Sequence, residues 1–440
     1  MLKLLTFKGG THPNDHKETT QNIPIRELTP SKVMVYPLSQ HIGAPCTPVV
    51  AVGDKVVMGQ LLGESSAFVS APIHSTVSGK VIAIEKRPHP NGTKVMSVVV
   101  ENDFEDTLAD YIKPYDDSHS LSASEKLEII KQAGIVGHGG ATFPTHIKLN
   151  PPPDKKIDCC IINGAECEPY LTSDYRVMLE NPEDVFEGIK EIMSILGIEK
   201  AYIGIENNKP EAIKVMEKHA ENYQGIEVCA LKTKYPQGSE KHLIKAITGR
   251  EVPSGKLPAD VGVVVDNIDT CTAICHAIKY RQPVFTRIVT VAGLGVKNPG
   301  NYKVRLGTSF ADIFAAADID ESITAKVIMG GPMMGTSQAN LDAVAIKGTS
   351  ALLALTKEEI SLDEETACTR CGKCVSKCPM GLMPVQLNSF AQIDDMETCL
   401  KYDIMDCIEC GVCSFTCPSA NHITQRIKLA KRKIAANRKK

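Results

Sequence analysis

The most constraining feature of the sequence is the crowding of cysteines near its end. The chain has 16 cysteines in 440 residues, and nine of them lie between Cys368 and Cys417. Disulfide scaffolds are typical of short secreted chains, whereas this chain is long and its first residues show no cleavage-like signal, so export is not expected. We therefore expect a reducing compartment, in which clustered cysteines usually bind metal.

Eight of these cysteines form two runs with the same spacing. The segments CTRCGKCVSKCP, at residues 368–379, and CIECGVCSFTCP, at residues 407–418, both read C-x2-C-x2-C-x3-C-P. Runs of this kind bind two 4Fe–4S clusters, and the fourth cysteine of each run is a ligand of the other cluster. The predicted ligands of the first cluster are Cys368, Cys371, Cys374 and Cys417. The predicted ligands of the second cluster are Cys407, Cys410, Cys413 and Cys378.

The alternative for these runs is a pair of structural zinc sites. Zinc sites generally use two separated C-x2–4-C pairs, so two complete four-cysteine runs that each end in proline favour the clusters. Cys399 lies between the runs and outside both patterns, and we expect it to pack in a core. Two adjacent clusters serve one-electron transport, which requires a donor or acceptor of electrons in this chain or beside it.

Composition and charge exclude several other classes of protein. Hydrophobic residues make up 43% of the chain and charged residues 23%, which is typical of a soluble globular protein. No stretch approaches the ~20 apolar residues that span a bilayer. The formal net charge is −3, which argues against a basic nucleic-acid-binding protein. The chain ends in a basic tail, which either contacts anionic lipid or an acidic partner or is a solvated helix end.

The pattern of strands and helices predicts a multidomain α/β protein with four domains. Residues 1–115 are β-rich and resemble a lipoyl- or biotinyl-type barrel-sandwich domain. No lysine lies between Lys55 and Lys80, so we expect a scaffold and not a carrier of a covalently bound group. Residues 116–284 alternate helices and strands, which predicts a Rossmann-like, largely parallel sheet. Residues 285–348 follow the order of a β-grasp module, and residues 349–440 are expected to be helical around the clusters.

Four polar turns in the second domain are candidates for a binding site. The first is the loop GIVGHGGATFPTHIKL at residues 134–149, whose glycines let backbone N–H groups approach a phosphate. Such a loop is structural about as often as it is functional. The turns NGAECEPYLTSD (163–174), KYPQGSEKH (234–242) and VDNIDT (265–270) follow at strand ends. Open α/β sheets bind their ligands at these ends.

These four segments resemble the FMN- and NADH-binding segments of the flavoprotein subunit of respiratory complex I. In that family the glycine loop reads GRGGAGFPTGLKW, and the later segments resemble NADESEPG, YICGEE and NNVET. The order of domains and the N-terminal segments GGTHPNDHKE and PLSQHIGAP narrow the resemblance to the C subunit of Rnf, or Rsx, electron-transport complexes. The resemblance covers essentially the whole chain.

The resemblance implies noncovalent FMN and NAD(H) as substrate, with residue roles carried over by position. The FMN phosphate and ring edge are expected at Gly137, Gly139, Gly140 and Lys148. Further flavin contacts are expected from Asn163, Glu166, Tyr235, Gly238, Asn267 and Thr270. The nicotinamide nucleotide is expected at Phe143, Glu168 and Glu240. The chain departs from the complex I pattern at His138, Thr142, Ser239 and Asp266, and His138 in place of arginine suggests a pH-dependent charge.

The resemblance also implies a function. The chain is expected to be the peripheral, NADH-facing subunit of a membrane-bound Rnf-type complex at the cytoplasmic face of a bacterial membrane. It would pass electrons between NAD(H) and ferredoxin, reached through partner subunits, while other subunits translocate Na⁺ or H⁺. Two alternatives are a corrinoid reductase of the propanediol-utilising type and a non-enzymatic iron–sulfur relay without flavin.

Overall fold

The computed structural model describes residues 4–115 and 118–437 of the chain. The expected boundary between residues 115 and 116 touches the gap between these ranges. The last three residues of the basic tail also lie outside the described residues.

The barrel-sandwich domain consists of a four-stranded and a three-stranded sheet around one core. Met34 and Tyr36 are fully buried while Val33 is exposed, because alternate side chains of a strand point to opposite faces. The first strands of the chain are β1 (Arg26–Glu27), β2 (Val33–Pro37), β3 (Thr47–Pro48), β4 (Lys55–Val56), β5 (Leu61–Glu64), β6 (Ile73–His74), β7 (Gly79–Pro88) and β8 (Lys94–Asn102). The sheets have the orders β2-β8-β7-β4 and β3-β5-β6.

The second domain is a parallel sheet, as predicted, and its helices pack on both faces. Its first helix begins with a capping box between Ser122 and Glu125. The central strand is buried on both faces, since Cys160 and Ile162 face one core and Cys159 and Ile161 face the other. The elements are α1 (Ala123–Gln132), α2 (Thr145–Lys148), β9 (Cys159–Gly164), α3 (Ser173–Glu180), α4 (Pro182–Leu196), β10 (Ala201–Glu206), α5 (Pro210–Ala220), β11 (Ile226–Leu231), α6 (Glu240–Thr248), β12 (Val263–Asn267) and α7 (Ile268–Tyr280).

The strand order of this sheet is β11-β10-β9-β12, and all of its pairs are parallel. The order therefore reverses between β9 and β12. In open parallel sheets, ligands bind outside the carboxyl ends of the strands at such a switch point. Asn163 and Asn267 are partners in register at this end of the two strands.

The third domain is a β-grasp module whose sheet extends further than the sequence suggested. The apolar run at residues 351–356, which we expected to be helical, is a strand buried along its whole length between two other strands. A short apolar run of this kind cannot be distinguished from a buried helix by its periodicity. The elements are β13 (Thr286–Ala292), β14 (Gly300–Arg305), α8 (Phe310–Ala316), β15 (Thr324–Met329), β16 (Thr336–Gln338) and β17 (Ala351–Thr356).

The C-terminal domain consists of short helices around the cysteine runs. Its core includes Leu387, Ile427 and Cys399, and Cys399 is fully buried there, which confirms its packing role. The helices are α9 (Lys373–Lys377), α10 (Pro384–Gln392), α11 (Met396–Lys401), α12 (Val412–Phe415) and α13 (Ile423–Asn437). A 3-10 turn at Ile404–Asp406 lies in this domain, and two more, at Ser118–Ser120 and Pro258–Val261, lie in the second domain. Within the described part of the chain, no helix is long and apolar enough to cross a membrane.

Residues 4–25 form an N-terminal arm that lies outside the barrel in which the sequence pattern placed them. Leu5 forms a parallel bridge with Leu231, and Thr11 an antiparallel bridge with Tyr235. The Gly10 N–H donates to the carbonyl of Lys377, 2.8 Å away. The arm therefore runs along the parallel sheet and contacts the cysteine-rich domain. Beyond the arm, β1 joins the β-grasp sheet beside β14.

Candidate functional site

The glycine loop forms an open turn between α1 and α2. The Gly137 N–H donates to the Phe143 carbonyl at 2.9 Å, which closes the turn. Gly139 lies against Asn267, where a Cβ would be 3.1 Å from the side-chain Nδ2. Gly140 has a φ of +90°, and a Cβ there would meet none of the described atoms within 4 Å. The loop thus combines a tight backbone with open space above it, which fits the approach of a phosphate or a flavin ring.

A cluster of buried polar side chains packs against the inner side of the glycine loop. The His138 N–H donates to Thr270 Oγ1 at 3.0 Å, and His138 Nδ1 lies 2.9 Å from Asp269 Oδ2. Arg287, from β13 of the β-grasp module, forms an ion pair with Asp269 and donates to the His138 carbonyl at 3.1 Å. Local sequence gave no signal for Arg287, because it reaches the loop from another domain.

The expected pH-dependent charge at His138 is not supported by the structure. Burial, and then the positive charge of Arg287, hold the pKa of His138 well below its usual value. The imidazole is therefore neutral at physiological pH. An arginine at position 138 would carry a positive charge. In this chain the positive charge beneath the glycine loop is that of Arg287.

The switch point brings together several of the predicted flavin residues. Asn163 Nδ2 donates to the Gly238 carbonyl at 2.8 Å, and the Gly238 N–H donates to the thiol of Cys167. Asn267 Nδ2 donates to Asp174 Oδ2 at 2.7 Å. Together with the glycine loop, these residues line the edge of the sheet where β9 and β12 end.

Lys148 lies between two carboxylates at the same edge. Its Nζ donates to the Val265 carbonyl at 2.7 Å and lies 3.6 Å from Asp266 and 4.0 Å from Glu240. Burial raises the pKa of Asp266 and of Glu240, and the nearby Lys148 ammonium opposes the rise. Beyond the Lys148 ammonium at 3.6 Å, the carboxylate of Asp266 has no polar partner within hydrogen-bond distance among the described residues, and the side-chain amide of Gln237 has none either. Buried polar atoms are normally paired, so these groups fit a bound polar cofactor.

The side chains of three further predicted site residues, Glu166, Glu168 and Tyr235, hydrogen-bond to the backbone of neighbouring segments. Glu166 accepts from the backbone N–H groups of Asp174 and Tyr175 and so caps α3. Glu168 accepts from the N–H groups of Met333 and Met334, at 3.0 and 2.9 Å, in the β-grasp module. These contacts leave the flavin and nucleotide roles of Glu166 and Glu168 as predictions.

Tyr235, the third of these residues, is buried against the cysteine-rich domain. Its hydroxyl donates to the Cys410 carbonyl at 2.8 Å. Phe143 is half-buried beside the glycine loop, where the sequence placed it. The flavin and nucleotide roles of these two residues are likewise predictions.

The structure brings the cysteines together in the crossed arrangement. Cys378 lines one cavity with the first three cysteines of the other run, Cys407, Cys410 and Cys413. Burial, and then the neighbouring thiols, raise the pKa of Cys410 to about 12. In the other set, burial raises the pKa of Cys374, and Cys417 lies close enough to add to the rise. Across residues 4–115 and 118–437, no group of three or more His, Cys, Asp or Glu side chains is arranged closely enough to hold a metal ion.

The two cysteine sets differ in exposure. Cys368 and Cys371 of the first set are exposed, whereas Cys410 and Cys413 of the second are buried. The second set packs on the parallel-sheet domain, where His242 Nε2 lies 3.1 Å from the Pro379 carbonyl in addition to the contact of Tyr235.

Comparisons with known proteins match each part of this architecture. The RnfC barrel sandwich hybrid domain matches residues 5–105, and the Nuo51 FMN-binding domain matches residues 130–276. An SLBB domain matches residues 288–337 and a 4Fe-4S dicluster domain residues 357–423. The fold and the site define an iron–sulfur flavoprotein of electron transport, which contains FMN and two 4Fe–4S clusters.

Similar proteins narrow this class to one family. The chain is 48% identical to the C subunit of the Na⁺-translocating ferredoxin:NAD⁺ oxidoreductase complex of Acetobacterium woodii, over 99% of this chain and 98% of the relative. It is 50% identical to the proton-translocating counterpart of Clostridium ljungdahlii, over 92% and 88%, respectively. The C subunit of the ion-translocating oxidoreductase complex of Rhodobacter capsulatus is 39% identical, over 92% and 78%. The chain belongs to the RnfC family and is one component of a multi-subunit complex.

A solved structure shares the fold. An NAD⁺-reducing NiFe-hydrogenase in the air-oxidised state superposes with a TM-score of 0.50 and 20% identity, over 64% of this chain and 55% of that chain. The names of the relatives favour the Rnf family over the corrinoid reductase, and the FMN-binding domain excludes a relay that lacks flavin.

Proposed function

We propose that this chain is the NAD(H)-facing component of its complex and passes electrons between NAD(H) and ferredoxin, which partner subunits bind. In this proposal it is peripheral to the cytoplasmic face of a bacterial membrane, and other subunits link the reaction to ion translocation. The observation that carries the proposal is the packing of the second cysteine set on the domain that holds the FMN edge, through Tyr235.

The names of the relatives support ion coupling of either kind. The relative from Acetobacterium woodii is named for Na⁺ and the one from Clostridium ljungdahlii for protons, at 48% and 50% identity. Because the two identities are nearly equal, the proposal assigns the choice of ion to the partner subunits.

The residues of the chain hold and orient the cofactor and the nucleotide. When bound, FMN exchanges electron pairs with NAD(H) and single electrons with iron–sulfur clusters. Gly139, Gly140 and Asn267 shape the cradle, and Thr270 fixes the loop from below. Lys148 supplies a cation between Asp266 and Glu240. The mechanism requires no nucleophile or general base among the side chains.

The exposure of the two cysteine sets suggests their order. The second cluster, at the buried set, lies against the FMN domain, whereas the first has the exposed residues Cys368 and Cys371 among its ligands. We place the second cluster next to the flavin and the first next to the partner that continues the path.

The nucleotide half of the proposal is tested at Glu240. An acid at this edge accepts hydrogen bonds from ribose hydroxyls and disfavours a 2′-phosphate, so NADH should be preferred over NADPH. Glu240→Gln keeps an acceptor but removes the charge, so it should slow the reduction of the flavin by NADH roughly tenfold, because a neutral amide accepts these hydrogen bonds more weakly than a carboxylate.

The matched control for Glu240 is Glu125→Gln. Glu125 is also a first-turn acid, but it belongs to the capping box of α1, which glutamine can also form. If Glu240→Gln reduced its flavin as fast as Glu125→Gln and the unchanged protein did, Glu240 would only stabilise the start of α6, and this nucleotide site would be wrong.

A further inference from the structure

The loop between β9 and α3, residues 165–171, lies at the switch point but lacks regular structure. Glu166 and Tyr170 both have a positive φ, at 47° and 69°. This conformation is costly for residues other than glycine, so it persists only where surrounding groups fix it. The loop begins just after Asn163 and carries Glu166 and Glu168, so its shape determines where these predicted contacts lie.

Lys17 of the N-terminal arm forms hydrogen bonds with the backbone of this loop. Its side chain is almost fully buried, and its Nζ donates to the carbonyls of Glu166 and Glu168, each at 3.0 Å, and to the carbonyl of Leu171. One ammonium therefore uses its three N–H donors on three carbonyls of a single loop. The backbone of the loop is arranged around this one cation.

Lys209 contacts the same loop, and its Nζ lies 3.5 Å from the Glu166 carbonyl that Lys17 also contacts. Its Nζ donates to the Ala165 carbonyl at 2.7 Å and lies 3.6 Å from the Glu206 carboxylate. Burial, and then the positive charge of Lys209, lower the pKa of Lys17. Burying two ammonium groups is costly, and the Glu206 carboxylate together with the carbonyls of this one loop offsets that cost.

Neighbouring residues of the arm fix both ends of the contact. The Tyr170 N–H donates to the Asp15 carbonyl at 2.7 Å, and the hydroxyls of Thr20 and Thr172 lie 2.8 Å apart. The arm is therefore bound along the length of the loop. The segment GGTHPNDHKE, which the sequence offered only as a family resemblance, contains Lys17 and supplies this support.

We propose that Lys17 is a positioning residue for the flavin site: with Lys209 it sets the backbone of residues 165–171 in the shape that FMN binding requires. The two lysines act through the loop, and they are not assigned a contact with the cofactor. The inference rests on the proposed flavin edge of the sheet.

The test compares two buried lysines that contact the 165–171 loop with one that does not. Lys17→Met and Lys209→Met keep most of the apolar stem and remove the donors. Lys126→Met is the matched control, because Lys126 is a buried lysine of the same domain, paired with Glu191 at 2.7 Å. Glu191 lies in the second half of α4, which leads into the start of β10, so this pair lies toward the opposite edge of the sheet.

FMN affinity of the apoprotein, measured by quenching of flavin fluorescence, separates the possibilities without any use of NADH. Lys17→Met and Lys209→Met should each weaken FMN binding roughly ten- to a hundredfold, because the lost hydrogen bonds from a charged group lower the population of the loop shape that binds FMN. The absorbance band of the bound flavin should shift in the same two variants. Lys126→Met should lower the melting temperature and leave FMN affinity and the band unchanged.

The proposal is overturned if Lys17→Met melts earlier but binds FMN as the unchanged protein does, with the same absorbance band. It is also overturned if Lys126→Met weakens FMN binding as much as Lys17→Met. A failure of the proposed function would look different, because the unchanged protein would then bind FMN and NADH would not reduce it.

Discussion

At the scale of single residues, Cys378 shows how a ligand set crosses from one run to the other. It belongs in sequence to the first run, but it lines the cavity of Cys407, Cys410 and Cys413. Cys378→Ala should therefore remove the second cluster and leave the first, so that iron falls from about eight to about four atoms per chain. Iron analysis and electron paramagnetic resonance of the remaining cluster measure this. Cys399→Ala, at a buried cysteine outside both sets, should retain all of the iron, and loss of the first cluster from Cys378→Ala would contradict crossed ligation.

A second prediction at this scale concerns pH. Because burial holds the pKa of His138 far below its usual value, the imidazole stays neutral from pH 6 to pH 8. An unfolded histidine has a pKa of about 6.5, so His138 costs stability only as the pH falls below that value. The FMN phosphate has a second pKa of about 6, so any inflection in the dissociation constant of FMN between pH 6 and pH 8 should be the same in His138→Gln as in the unchanged protein. An inflection in this range that disappears in His138→Gln would show that the imidazole titrates beneath the loop.

At the scale of elements, β13 and the glycine loop are connected by Arg287. Arg287→Met leaves the largely buried Asp269 without its ion pair, so we expect a loss of about 3–5 kcal/mol in the free energy of unfolding. FMN binding should weaken as well, because the His138 carbonyl loses its donor. Denaturant titration and FMN affinity measure the two effects.

Arg305→Met is the control for Arg287, because Arg305 lies in the same sheet and pairs with Asp106 nearer the surface. Because the Arg305–Asp106 pair is partly exposed, its loss should cost less than that of the buried pair, although Arg305 binds both oxygens of Asp106 and also donates to the Thr76 carbonyl. Equal losses of stability in the two variants would contradict a special role for Arg287.

The elements also show what a sequence can and cannot reveal. The alternating apolar patterns of residues 122–280 predicted the four strands of the parallel sheet and most of its helices. They did not predict α3, whose first two residues lie in the polar turn at 163–174 and whose remaining residues follow that turn. The strand Ala351–Thr356 was expected to be helical, since six residues that are nearly all apolar carry no period. The predicted polar turns do meet at the switch point. Arg287 and Lys17 escaped prediction because they reach the site from distant segments, which local patterns do not encode.

At the scale of the whole molecule, the N-terminal arm and the β-grasp module connect the other domains. The N-terminal arm contacts the parallel sheet through Leu5 and the cysteine-rich domain through Gly10. The β-grasp module contacts the glycine loop through Arg287 and the 165–171 loop through its hydrogen bonds to Glu168. The arm therefore connects the parallel sheet with the cysteine-rich domain, and the β-grasp module connects the two loops of the FMN edge.

The most direct test of the central claim, that electrons from NADH pass through FMN to both clusters, is an anaerobic titration. The protein, reconstituted with iron, sulfide and FMN, is titrated with NADH while its visible spectrum is recorded. We expect the flavin band to bleach and the broad cluster absorbance to fall after it, with NADPH far less effective than NADH. The claim would be contradicted if a chemical reductant lowered the absorbance of flavin and clusters while NADH left both unchanged.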